Sequence, residues 1–183
     1  DALRNADFAT TAAELALAVQ DDATDSYVDL VAGELALRKR AAPDAVAAFG
    51  QALKKHDSAR AQWGLSRAHR MAGQDAEANA AAEATLNMSP MHAGARLAVA
   101  EQLIATGEIE KAAELLQAPA GLAPLDGATL QVARVDKSAA LGLLAQIEER
   151  RGRLGAAREM YEKAIELDSA NADAALGAAR LVL

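Results

Sequence analysis

The spacing of Gly152, Leu154, Ala157, Tyr161 and Ala164 constrains this chain more than any other feature, because the same pattern recurs upstream. Ala157, Tyr161 and Ala164 fall on one face of a helix, and Gly152 ends the helix before it. Leu141, Leu144, Ala145 and Glu148 continue the frame, so residues 138–171 read as one helix–turn–helix unit of 34 residues. Gly73 and Gly107 also lie 34 residues apart. The composition suits such an array: 52% of residues are hydrophobic but only 3% aromatic, so closely packed small side chains replace one thick core. No segment has strand periodicity, and the expected class is all-α.

Taken in order, residues 1–25 read as a partial repeat or N-terminal cap, with Phe8, Thr11, Leu15 and Ala18 on its surviving second helix. Residues 26–58 form a unit with Gly33 on the first helix and Ala45, Phe49 and Ala52 on the second; Pro43 suits a first helical turn. Residues 59–92 repeat it through Trp63, Gly73, Ala78 and Pro90, and residues 93–117 through Ala100, Leu103, Gly107, Ile109, Ala112 and Leu116. Gly107 and Gly152 are 45 residues apart, eleven more than one repeat. This predicts an irregular insertion over 118–137, with Pro119 shortening the helix before it and a short helix over 129–135. Residues 138–171 give the fourth unit, and 172–183 begin a further helix. The opening at Asp1 within a hairpin and the apolar end at Leu181 to Leu183 are expected of a processed protein or an excised piece of a longer array, or of self-association through that end.

At the small residue Ala145, then Gly152, Ala157, Tyr161 and Ala164, the sequence resembles the tetratricopeptide (TPR) family. Glu148 departs from that family's usual tyrosine and Ser169 from its usual proline. The resemblance implies a right-handed α-solenoid of helix–turn–helix repeats, binding other proteins, with the first helix of each repeat turned to a concave groove. The family's carboxylate clamp needs a Lys and an Asn where Leu30 and Glu34 stand, so that activity is not expected here.

The residues give little chemistry beyond binding. There is no cysteine, hence no disulfide and no thiolate nucleophile or metal ligand. His56, His69 and His92 have no metal-ligand spacing, and His69 reads as a packed inter-helix residue. There is no phosphate loop and no nucleophile elbow. Glu148-Glu149 and Asp21-Asp22 read as solvated surface charge. Neither catalysis nor a cofactor is therefore assigned. A net charge of -7 argues against nucleic acid. No run of eighteen apolar residues suits a membrane span, and a soluble protein of either the cytoplasm or the periplasm fits.

One constellation stands out. Arg60, Trp63, Arg67 and Arg70 are spaced 3, 4 and 3 and share one helical face. The matching positions of the neighbouring units align Leu30, Trp63 and Leu97 as an apolar row, with Glu34, Arg67 and Glu101 beside it. Residues 38–70 carry eight Lys or Arg against Asp44 and Asp57, a net of +6, so the rest of the chain carries −13. A basic band holding the only tryptophan predicts a partner segment with acidic residues, held by Arg and anchored on Trp. Pairing of Arg67 with Glu34 and Glu101 in an inter-repeat ladder is the competing expectation. The expected role is a non-catalytic adaptor or scaffold in assembly of a multiprotein complex. A docking portion of a larger enzyme and a self-assembling structural scaffold are the alternatives.

Overall fold

The computed structural model describes residues 26–120 and 127–181, and all the regular structure among them is helical. The expected partial repeat over 1–25 lies outside the described residues, as do 121–126 and the last two residues of the chain. Two compact units divide after Pro90. The first holds α1 (Ser26–Arg38), α2 (Ala42–Lys55), α3 (Ala59–Met71) and α4 (Asp75–Met88). The second holds α5 (Ala93–Thr106), α6 (Ile109–Ala120), α7 (Gly127–Arg150), α8 (Leu154–Leu167) and α9 (Ala172–Arg180).

Four hairpins, α1–α2, α3–α4, α5–α6 and α7–α8, close with the same turn. After α5, Gly107 takes φ 87°, its N–H donates to the Ile104 carbonyl, and the Glu108 N–H donates to Leu103. These bonds satisfy carbonyls that the end of a helix leaves without partners. Gly73 and Gly152 repeat the arrangement. In the first hairpin the left-handed position is held by Arg40, at φ 58°, with the Arg40 and Ala41 N–H groups donating to Leu37 and Ala36. Helix starts are also defined: Ser58 accepts from the Ala61 N–H at 3.3 Å and Asn171 from that of Ala174 at 3.0 Å.

Aromatic rings set against glycines fill the cores. Phe49 is fully buried, and its ring takes the space that side chains at Gly33 and Gly64 would need. Around it pack Leu30, Leu37, Ala45, Ala52, Ala61 and Ala68. In the second unit the Tyr161 ring lies against Gly177 in the same way, among Ala145, Ala157, Ala164 and Ala174. A second cluster there joins Ala100, Ile104, Ala112, Leu116, Ala140 and Ile147. Buried Ser138 donates to the Ala164 carbonyl at 2.8 Å and accepts from Asn171, tying the end of α8 to the start of α9.

Two expectations need correction. The stretch 127–137 is not irregular: it forms the first three turns of the 24-residue α7, continuous with the first helix of the fourth unit, and α6 runs through Pro119 to Ala120. Nor are Glu148 and Glu149 solvated. Glu148 is 9% exposed and accepts from Arg151 at 2.9 Å and from Arg153. Glu149 accepts from the Tyr161 hydroxyl at 2.5 Å and from Arg180 at 2.7 Å. Burial alone would raise both carboxyls, but the arginine hydrogen bonds outweigh it and hold both below the usual range. Glu148 stands where the resemblance leads one to expect tyrosine, and its bonds to Arg151 and Arg153 clamp the α7–α8 turn.

Candidate functional site

Helix α3 starts at the Ser58 cap and turns Trp63, Arg67 and Arg70 to one side. Beside it, α1 ends in Leu37 and Arg38, and the strained turn residue Arg40 follows. Trp63, Arg38, Arg40, Arg67 and Arg70 border a groove of about 420 Å³, completed by Leu37, Met71 and the buried Ser66. Among the described residues no carboxylate lines it. Arg38 and Arg70 lie in the last turns of their helices, where the partial negative charge of the helix end favours a cation. The groove therefore gathers four guanidinium groups around one half-buried indole.

Two of these arginines, Arg67 and Arg70, have side-chain hydrogen-bond partners. Arg67 donates from one terminal nitrogen to both Glu34 oxygens, at 3.1 and 3.2 Å, the Glu34 step of the expected ladder. Both partners are substantially exposed, and a surface pair of this kind contributes about 0–1 kcal/mol. Arg70 donates to Asn79 at 3.4 Å. Arg60 does not line the groove: its guanidinium lies 5.9 Å from the centroid of the Tyr27 ring.

Other predicted site residues fall elsewhere. Leu30 is 8% exposed and belongs to the Phe49 core, so it offers a partner nothing. The apolar row thus loses its first member, because the α1 position matching Trp63 faces inward. Leu97 packs against the core of the second unit, and Glu101 borders a different groove there, with Val135, Leu143, Asp168 and Asn171. The groove around Trp63 lies wholly within the first unit. His69 is half-buried, its Nδ1 2.8 Å from Gln74 Oε1 across the turn after α3. Sequence reasoning missed Arg38, Arg40 and Met71. The signal for the two arginines was the Arg38-Lys39-Arg40 run at the end of α1, which helical spacing does not register. Among the described residues no group of three or more His, Asp or Glu is placed to hold a metal. No described helix is long and apolar enough to cross a membrane.

Repeated hairpins with one turn geometry, small residues at the crossings and a groove bordered by first helices define an all-α helical-repeat protein. No family model matches the sequence, and no curated protein does. Among solved structures, PilW, described as a widely conserved type IV pilus biogenesis factor, is 20% identical with a TM-score of 0.70 over 98% of this chain and 79% of its own. MamA is 18% identical with a TM-score of 0.66 over 91% of each chain. YrrB, described as a TPR protein with an unusual peptide-binding site, is 16% identical with a TM-score of 0.65, over 93% of this chain and 84% of its own. The fold of this chain is the tetratricopeptide-repeat α-solenoid.

Proposed function

We propose that this chain is a non-catalytic adaptor that binds an acidic, partly apolar segment of a partner protein in the groove around Trp63, as part of the assembly of a multiprotein complex. The observation that carries this reading is the lining itself: Arg38, Arg40, Arg67 and Arg70 surround an indole, with no carboxylate among the described residues that line it. Arginine and tryptophan are the residue types most enriched where partners bind tightly. The fold supports the same class of role, since YrrB, which shares it, is described as peptide-binding and PilW as a biogenesis factor. In this reading the guanidiniums speed encounter and select charge, while the indole retains the bound segment by losing water-exposed area.

The test is fluorescence polarisation with a labelled synthetic peptide of Asp and Glu around one leucine, against the same peptide with Lys in place of the acids. The acidic peptide binds and the basic one does not. Arg38→Glu weakens binding by about tenfold or more. Equal affinity for the two peptides, or indifference to Arg38→Glu, contradicts the proposal.

A further inference from the structure

The groove of the first unit has a counterpart in the second. Gly33 and Phe49 are separated by the same sixteen-residue step as Ala145 and Tyr161, which matches α7 to α1 and sets Arg150 on Arg38. Phe49 then packs on Gly64 of α3, as Tyr161 packs on Gly177 of α9, which sets Leu176 on Trp63 and Arg180 on Arg67. In each unit these three matched residues border one groove, of about 420 Å³ around Trp63 and about 490 Å³ around Leu176. In each, the arginine four residues beyond the apolar anchor is tied to a carboxylate of the preceding first helix. Arg67 meets Glu34 at 3.1 Å, and Arg180 meets Glu149 at 2.7 Å. Glu149 lies one turn past the position matching Glu34, where Gln146 stands and also borders the groove.

We infer that the groove around Leu176 is a second docking site, and that its occupant is a near-neutral apolar segment of a protein partner. The inference rests on reading the Trp63 groove as a docking site, because it is the recurrence of that arrangement that gives the second groove its meaning. The occupant follows from charge. Among the described residues four arginines and no carboxylate line the first groove, whereas in the second Arg150 and Arg180 are balanced by Glu149 and Asp173. Two of those charges already neutralise each other in the Arg180–Glu149 pair, and the Tyr161 hydroxyl bonds the same carboxylate. A strongly charged segment of either sign gains little there. Leu176 is 67% exposed, so an apolar side chain laid on it removes area from water for both. One aliphatic anchor with satisfied polar groups at its edge is the general form of a small protein-binding patch.

The test uses the full chain, methyl-labelled on leucine and followed by NMR, with two synthetic peptides. One is near-neutral, with leucine and phenylalanine between serines; the other is the acidic peptide used for the Trp63 groove. The neutral peptide shifts the Leu176 methyl signals. Leu176→Glu weakens it by about tenfold or more, and Trp63→Ala leaves it unchanged. An unchanged helical circular dichroism signal shows that the variant is folded, and Leu176→Ser gives the same comparison if it is not. The inference is overturned if the Leu176 signals stay still with the neutral peptide or if the folded variant binds as well as the intact chain. It is also overturned if those signals move with protein concentration alone, which would make the face a contact for a second copy. If the acidic peptide binds at Trp63 while the neutral one fails at Leu176, only this inference falls. If the acidic peptide fails at Trp63 as well, the reading of the first groove falls with it.

Discussion

Arg40 is where backbone and function meet most directly. Its left-handed conformation puts Cβ close to the following carbonyl, at a cost of roughly 1–2 kcal/mol that glycine avoids. The three other hairpin turns use glycine at this position. Arg40 alone borders the groove, so the strain accompanies a guanidinium where the proposed ligand needs one. Arg40→Gly should therefore raise the stability of the chain by about 1 kcal/mol in urea unfolding while weakening the acidic peptide. A variant both less stable and equally tight would show that the turn is not strained and the side chain not used. At Gly64 a Cβ would stand 2.3 Å from Phe49 Cε1, in a core where the ring is fully buried between two glycines. Gly64→Ala should cost about 1–3 kcal/mol by overpacking, against little effect for Gly155→Ala, where a Cβ meets nothing within 4 Å. Glu148 supplies a pH signature. Its folded-state carboxyl is held below the ordinary value of 4.5, so its contribution is fully present above that pH and is lost as pH falls through the lowered value. Unfolding followed from neutral to acid pH should show the stability gap between the intact chain and Glu148→Gln closing over that window. A gap independent of pH would mean that the Arg151 and Arg153 contacts do not bias its ionisation.

At the scale of elements, the hairpins were legible because small residues at fixed spacing have one helical reading, and Gly73, Gly107 and Gly152 mark three of the four turns. The first turn was not marked, since Arg40 takes the conformation without the residue type that signals it. Residues 127–137 were misread for the opposite reason. The repeat period fails there, but failure of a tertiary period is not loss of local structure, and no residue between Ala128 and Lys137 breaks a helix. Val135→Pro should accordingly cost about 3 kcal/mol or more, as proline does inside a helix. A near-neutral effect in the same denaturation assay would place that stretch outside α7. Likewise Glu149 gave no sign of its ion pair, because Arg180 is 31 residues away and only the packing of α9 brings it close.

For the whole molecule, the sequence showed that a basic band lies within an acidic chain, and its Trp63, Arg67 and Arg70 do border one groove. It did not show which matching positions face outward. Leu30 and Trp63 align by spacing, yet Leu30 is buried under α2 and α3 while Trp63 is half-exposed, a difference set by inter-helix packing. Recruitment of Arg38 from the end of α1 and of Arg40 from the turn after it is likewise a matter of three-dimensional closure. The most direct measurement of the proposed function is stopped-flow emission from Trp63, the single tryptophan of the chain, on mixing with the acidic peptide at rising salt. The account predicts that emission changes on binding and that salt slows association while changing dissociation little; separately, Arg70→Glu lowers the association rate. Emission that is unresponsive to the peptide and shielded from an added quencher would place Trp63 in the core and contradict the account.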